Sequence, residues 1–591
     1  MPTSPATSAA LNRHLREFHP LDRVGGAGGL LGAHTHPKES IPTVLVAAFD
    51  SREEVKNMAD LVCSGADDQG EMIEAIVLAN TGGIQTGRVL LSEGNFFVEP
   101  GFISYSGNFV FEGMGILSTF IHNEGIGTTD IQNPLFDVET DAELSNMAFV
   151  TTTDYVGDVI RADYGKVHNV YHAGSAQSFI RFTGGFTAHH DLIANGSYDV
   201  GGFWIDGMDN GTLTDLMRIG SGLGPMMYIE DTNGTALDIS NLMCSMSSVH
   251  PGIRMKNGTD VTMSNINIKV AATQSAIEVD DGNPFGLQIH GANLAGGYGI
   301  RTLAQGDSIG ACVLTNLFIQ PSISGISARF GGLVMSGVYV GGFSDGTGTG
   351  VEIRWSQSQA PIIIDGLRVD KFDGHGVHFL GPGGLARPQS LIASNIYVDE
   401  IGKHGILLED VQQGKLHHSE VKLVSEETSN LYDAIHVTGE AIDVALDHNK
   451  IHALATTRYG IHVQSGQGAI VVGNDYGVEA DYGTAPFADG AAGTVITYPA
   501  DPTFGDNFVA VSGGDLTIDI VDGVGVTEEI ELGFKIVDED VGVTDTITHS
   551  APVVERSVTE AVGVTDEVQN IETKAFTETV GVTDSVTPVL T

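Results

Sequence analysis

Positive charge is scarce in this 591-residue chain, where 28 Lys and Arg stand against 75 Asp and Glu for a formal net charge of −47. No basic stripe exists to release counterions from a polyphosphate, which excludes nucleic acid as a partner class. Only three cysteines occur, Cys63, Cys244 and Cys312, far apart and odd in number. They make neither a disulfide framework nor a zinc spacing. Cys244 and Cys312 sit in strand-like text and are expected to be small core residues. No apolar run approaches the ~18 residues of a membrane span, so no membrane insertion is expected. Met1 to Arg16 holds no apolar stretch of the kind a secretory signal needs, and the expectation is a protein made in a cytoplasm without an ordinary export signal. Nucleophile elbows, Cys/His constellations, P-loops and dinucleotide fingerprints are also missing.

What is present is a repeat. A small residue followed by Ile or Val returns as Gly252-Ile253, Ala276-Ile277, Gly299-Ile300, Gly325-Ile326, Gly350-Val351, Gly376-Val377, Gly405-Ile406, Ala434-Ile435 and Gly460-Ile461, at intervals of 23 to 29 residues. A second mark, a Ser/Asn/Asp-type pair before an apolar residue, recurs at Ser145-Asn146, His168-Asn169, Ala194-Asn195, Ser240-Asn241, Ser264-Asn265, Thr315-Asn316, Ser394-Asn395 and His448-Asn449. Between the marks lie strand-like runs of four to six residues, such as 367–369 and 396–398, separated by Gly, Asn and Asp turns, and no period of 3.6 survives. One unit of about 25 residues that stacks on copies of itself is a coil of a right-handed parallel β-helix. A propeller blade needs ~40–45 residues, and a leucine-rich repeat would show its own Leu/Asn spacing. With 77 glycines, 41% hydrophobic and 7% aromatic residues, the composition suits tight turns around an aliphatic core. The fold class is therefore all-β, a single-stranded solenoid with a short N-terminal arm and a β-rich C-terminal region.

The parts divide as 1–44, 45–120, 121–498 and 499–591. The first holds a helical candidate at Ala9 to Phe18, the Gly-rich run Gly25 to Gly32, and His34-Thr35-His36-Pro37. It reads as a docking arm. His34 and His36 could hold a metal ion if three chains brought six imidazoles to one axis, and a linker with two exposed histidines is the plainer alternative. The last part repeats Val524-Gly525-Val526-Thr527-Glu528 at Val541, Val562 and Val580, and residues 501–591 hold 19 acidic against 3 basic residues. Copies this short cannot each be an immunoglobulin-like domain; strands shared between chains or a flexible stalk are expected. Four Asn-Gly-Ser/Thr sequons, at Asn195, Asn210, Asn233 and Asn257, read as tight turns.

The run Ala59 to Gln69 with Gly65-Ala66-Asp67-Asp68, a helical stretch Glu71 to Asn80, and then Gly87 to Phe97 resembles the start of pectin-lyase-like β-helix proteins. There a strand, a GxxDD turn and a short helix close the N-terminal end of the solenoid. Closure makes physical sense, because the first coil would otherwise expose an open core and an unpaired edge. Asp67 and Asp68 precede a helix, so capping is a better reading of them than catalysis. A short arm, a capped β-helix and an acidic repeat tail together resemble tailspike or tail-fibre proteins of tailed viruses. That resemblance implies a homotrimer, N-termini seated on other tail or baseplate proteins of the virion, and attachment to a host surface polysaccharide or glycoprotein. The acidic balance and the 12 lysines suggest multimolar salt, where repulsion is screened within ~3 Å at 1 M, and so a halophilic archaeal host.

Aligning two coils at an offset of 29 places Asp370 over Asp399, His375 over His404, Gly376 over Gly405 and Val377 over Ile406. Coils stack at about 4.8 Å, so two carboxylates and two imidazoles would line one strip, with Asp373 and Glu400 close by. Paired carboxylates are what an acid and a base acting on a glycosidic bond require. Asp370, Asp399, His375 and His404 are the candidate catalytic residues; stacked polar turn residues in an acid-rich repeat are the alternative. The basic residue and calcium-binding aspartates of pectate lyases cannot be placed by motif. Three readings follow: a virion adsorption protein, a depolymerising spike, and a cellular carbohydrate-active surface protein.

Overall fold

The computed structural model describes residues 41–489 except 81–85, 99–102, 124–133, 153, 154, 156, 186, 221, 222, 233–235, 247, 248, 281, 305, 357–359, 383–389, 426–430, 453, 454, 466–468 and 477–481, then 496, 497, 527–530, 544–548, 565–569 and 585–587. His34, His36 and the helical candidate Ala9 to Phe18 lie outside the described residues. Contacts divide the chain into Met1–Ala510 and Val511–Thr591.

The first unit is a right-handed parallel β-helix of about 14 turns. Every pairing between its strands is parallel, and each strand pairs with the one a coil away. In one coil the chain runs along face A (Val351–Trp355), then face B and face C (both within Ile362–Phe372), before returning to face A one coil on at Val377–Leu380. Ile326, Val351, Val377, Ile406, Ile435 and Ile461 stack in register on face A, as the first mark requires. These side chains point inward and are fully buried, each worth roughly 1.5–3 kcal/mol.

The small residue of the mark has a steric cause. A Cβ on Gly325 would stand 2.2 Å from Val340 Cγ1 and 2.8 Å from the carbonyl oxygen of Gly350, the mark of the next coil. The same two approaches recur at Gly350 with Val369 and Gly376, and at Gly376 with Val398 and Gly405. Faces A and C converge there, and only a residue with little or no side chain lets them close.

The second mark is a left-handed turn between faces B and C. Asn146, Asn169, Asn241, Asn265, Asn316 and Asn395 all have φ between +50° and +60°. Asn tolerates this region better than most residues. Side-chain amides bond from coil to coil: Asn265 Nδ2 donates to Asn241 Oδ1 at 2.6 Å and Asn241 Nδ2 to Asp215 Oδ1 at 3.1 Å. In two coils the left-handed position does not coincide with the Asn of the second mark: it falls at Asp191, ahead of Asn195, and at His448, the first residue of its own pair. Asn195 lies inside the strand Ala188–Asp206, so its sequon is not a tight turn. Asn449 is buried and bonds to Asn474 in an inner ladder.

At the N-terminal end Thr43–Ala47 pairs with Leu61–Val62 and Thr86–Leu91, and the helix Gln69–Ala79 buries Met72, Ala75, Ile76 and Ala79 against them. Asp68 occupies the N-cap position without capping. Its carboxylate instead accepts the backbone N–H of Gly65 and of Phe97, both at 2.9 Å, and so ties the turn to the next strand. The first coils are filled by aromatics, with Tyr105, Phe111, Phe136 and Phe149 in successive contact, and later coils mainly by Ile, Val and Leu. Cys63, Cys244 and Cys312 are free and buried. Among the described residues no helix is long and apolar enough to cross a membrane.

In the second unit Thr527–Ile530, Thr544–Thr548, Thr565–Gln569 and Ser585–Thr587 pair in parallel within one chain. Glu528, Asp545 and Asp566 stand in register. Sharing of strands between chains is thus not needed to pair these repeats.

Candidate functional site

Face C carries an outward row of rings and cations. Tyr339, Arg368 and Tyr397 are in register on successive coils, because outward positions recur every second residue and each coil repeats the last. Phe318, exposed at 40%, stacks on Tyr339 with ring centroids 5.0 Å apart and planes 11° from parallel. The Arg368 guanidinium carbon lies 5.5 Å from the Tyr339 centroid and 4.8 Å from that of Tyr397, and Lys422 Nζ caps Tyr397 at 4.9 Å. These contacts order the row without covering it.

Two residues further along the same strands, Asp370 and Asp399 pair in register as the 29-residue offset predicts. Their surroundings differ. Asp370 is buried and receives Arg368 Nε at 2.9 Å; Asp399 is half-buried and accepts the Tyr397 hydroxyl at 2.9 Å and the backbone N–H of Glu400 at 3.1 Å. Glu400 pairs with Lys371 at 3.6 Å.

His375 and His404 stack over one another as the alignment predicts, 5.3 Å apart and 3° from parallel. They stand at the corner leading into face A, immediately before Gly376 and Gly405, and not in one strip with the aspartates. His404 continues the stack onto His436 at 4.4 Å, and His436 meets His462 at 4.8 Å. Burial drives both corner imidazoles down to about 3, with neighbouring histidines and cations adding to the shift. They are neutral at physiological pH.

Asp433, wholly buried, is the centre of this group. It accepts Arg458 Nε at 2.8 Å and Nη2 at 2.7 Å, and His436 Nδ1 at 2.6 Å; His462 Nδ1 lies 3.0 Å away. Burial opposes its ionisation, but the bonds from Arg458, His436 and His462 outweigh that and hold its carboxyl well below the usual range. The potential ligand atoms of His404, Asp433 and His436 lie within 4.8 Å of one another, a spacing that could surround a metal ion. Arg458 already neutralises the carboxylate, however, and His404 Nδ1 accepts the backbone N–H of Asp433 at 2.9 Å. A metal held through Asp433 and Nδ1 of His404 would have to displace both.

Apart from His404, sequence reasoning missed this group and the face A row to which His436 and His462 belong. The residue after the Ile or Val of the mark faces outward on face A. In successive coils it is Arg254, Glu278, Arg301, Ser327, Glu352, His378, Leu407, His436 and His462. The signal was available in the repeat itself, as Gly-Val-His, Ala-Ile-His and Gly-Ile-His at 376–378, 434–436 and 460–462. His378 Nε2 is 2.9 Å from Glu409 Oε2, and its Nδ1 is 4.0 Å from Glu352 Oε1.

No family model and no curated protein matches the sequence. Among solved structures the chain is similar to a tailspike protein of the Escherichia coli bacteriophage HK620, determined in complex with a pentasaccharide, at 11% identity over 77% of this chain and 81% of that one, with a TM-score of 0.36. It is also similar to the A-module of a mannuronan C-5 epimerase of Azotobacter vinelandii, at 13% identity over 73% and 94%, with a TM-score of 0.27. Tailspike protein 3 of bacteriophage CBA120 follows at 12% identity over 74% and 58%, also with a TM-score of 0.27.

Proposed function

We propose that this chain is the adsorption spike or fibre of a virion tail, and that it attaches the particle to a glycan on the host surface through face C. The observation that carries the reading is the ladder Phe318, Tyr339, Arg368 and Tyr397. Flat rings at a fixed repeat along a rigid shaft match the apolar faces of successive sugar rings. Interleaved Arg and Lys supply donors to hydroxyls, and rigidity limits the entropy lost on binding. Assembly as a homotrimer, with residues 1–44 docked on other tail proteins, would raise weak single-site affinity by multivalency. The acidic composition fits a halophilic host.

The test uses the purified full chain in high salt, with intact host cells and their extracted surface glycan, while light scattering reports whether the particle holds three chains of 62.1 kDa. Wild type should bind, and Tyr397→Ala should weaken binding by about tenfold or more, since stacking and cation–π contacts are each worth ~0.5–2 kcal/mol. Unchanged binding by both Tyr397→Ala and Phe318→Ala would sink the face C reading. A second reading, cleavage of the same glycan, rests on the register of Asp370 and Asp399. Release of reducing ends or unsaturated sugars, abolished by Asp370→Asn or Asp399→Asn, would establish it; binding without release would retire it.

A further inference from the structure

The outward side of face A carries six arginines: Arg161, Arg181, Arg254, Arg301, Arg329 and Arg354. Four are neutralised by a carboxylate: Arg161 by Asp137, Arg181 by Asp206, Arg254 by Asp280, and Arg354 by Glu352 at 2.7 Å. Among the described residues, Arg301 and Arg329 have no carboxylate within ion-pair reach. In a chain with 75 acidic side chains against 28 basic ones, that exception among the arginines of face A calls for a cause.

The two stand on adjacent coils. Arg301 is in register with Ser327, and Arg329 follows Ser327 by two residues on the same outward side. Arg329 is also directly opposite Arg354, and like charges opposite one another in a sheet are destabilising unless something lies between them. The nearby carboxylates are committed elsewhere. Glu278, in register with Arg301, accepts the Ser275 hydroxyl at 3.1 Å. Glu352 accepts Arg354, and the Ser327 hydroxyl at 3.0 Å. The Arg301 guanidinium is fixed over the Tyr298 ring at 4.3 Å, so its orientation is set before any ligand arrives. Both arginines are half-buried, which strengthens their field relative to a fully solvated cation.

We propose that Arg301 and Arg329 form an oxyanion site at mid-shaft that takes the carboxylate or sulfate group of an acidic glycan. The guanidinium fork matches both groups bidentately, and binding would supply the counter-charge that this pair of coils lacks. The site lies on face A and goes beyond the reading of face C, so either can fail without the other.

The experiment is calorimetric titration of the full chain, at one fixed ionic strength, with an oligouronate, a sulfated oligosaccharide, an uncharged oligosaccharide of equal length and inorganic sulfate. Variants are R301Q/R329Q, R329K and, as a control on the same face, R254Q, each checked for a native melting transition. Wild type is expected to bind at least one anionic oligosaccharide and not the uncharged one. R301Q/R329Q should lose about tenfold or more in affinity, R329K should lose less, and R254Q should stay within about twofold, because its guanidinium is already paired. Failure of wild type to bind either anionic oligosaccharide, equal affinity in R301Q/R329Q, or an equal loss in R254Q would each overturn the proposal. Binding of inorganic sulfate with neither oligosaccharide would overturn the glycan as the occupant.

Discussion

Asp158 in the N-terminal coils and Asp433 in the C-terminal coils are both buried, 2% and 0% exposed, yet the protein treats them oppositely. Asp158 receives one hydroxyl, from Ser178 at 2.6 Å, and faces the Arg181 guanidinium only at 3.8 Å. Burial dominates, and its carboxyl is pushed up to about 6. Asp433 faces a bidentate guanidinium and two imidazoles, and is held well below the usual range although it too is buried. Burial therefore does not decide the ionisation of a carboxylate in this shaft; the number of donors that successive coils bring to it does.

Stability should follow pH in opposite directions at the two sites. For Asp433 the folded-state pKa is depressed below the unfolded value of ~4, so its contribution is present above that pH and is lost as pH falls through the acid range. For Asp158 the folded value of about 6 exceeds the unfolded one. The folded state holds a proton there that the unfolded state has released, so stability falls as pH rises between ~4 and ~6 and stays lower above.

The largest effect is expected from Asp433→Ala, which leaves Arg458 and two histidines around a void and should cost about 3–5 kcal/mol in denaturant unfolding at pH 7. A loss under ~1 kcal/mol would mean that the network carries no net stability. Arg458→Gln removes the cation and keeps the carboxylate; it should cost about 2–3 kcal/mol and bring the acid limb of the stability curve to higher pH. Asp158→Asn should act in the other direction, stabilising by about 1–2 kcal/mol at pH 8 and by nothing at pH 3.5, where the native carboxyl is protonated too. A constant difference between these pH values would show that Asp158 titrates normally. Smallest is His436→Gln, which withdraws one of the donors to Asp433 and should cost about 1 kcal/mol, seen as a small shift in melting temperature.

Much of this was readable as columns. Stacking by one coil turns a repeat interval into a spatial neighbour, so the offset of 29 placed Asp370 on Asp399 and His375 on His404, and the small-Ile mark located face A. The second mark slipped where the turn residue is not Asn: following Asn led to Asn195 and Asn449, while the left-handed turns fell at Asp191 and His448. Asp68 was placed correctly ahead of a helix, but its hydrogen bonds go to Gly65 and Phe97, a strand 29 residues away that no local capping rule could anticipate.

The face A row shows a different limit. Its members are the third residue of each mark, present in the sequence all along, but a list of Arg, Glu and His does not say which of them are paired. Arg458 reaches Asp433 across one coil, and Arg254 is answered by Asp280 through a turn, whereas among the described residues Arg301 and Arg329 meet no carboxylate within ion-pair reach.

By itself the sequence determined the period, the inward aliphatic column and the small residue where two faces close, because these depend on spacing and volume, which every coil repeats. Only the tertiary structure decided which carboxylates are saturated with donors, which guanidinium groups are left open and which rings stay exposed. Those outcomes depend on distances of a few ångströms between side chains on neighbouring coils, and electrostatic and hydrogen-bond energies change most steeply over that range.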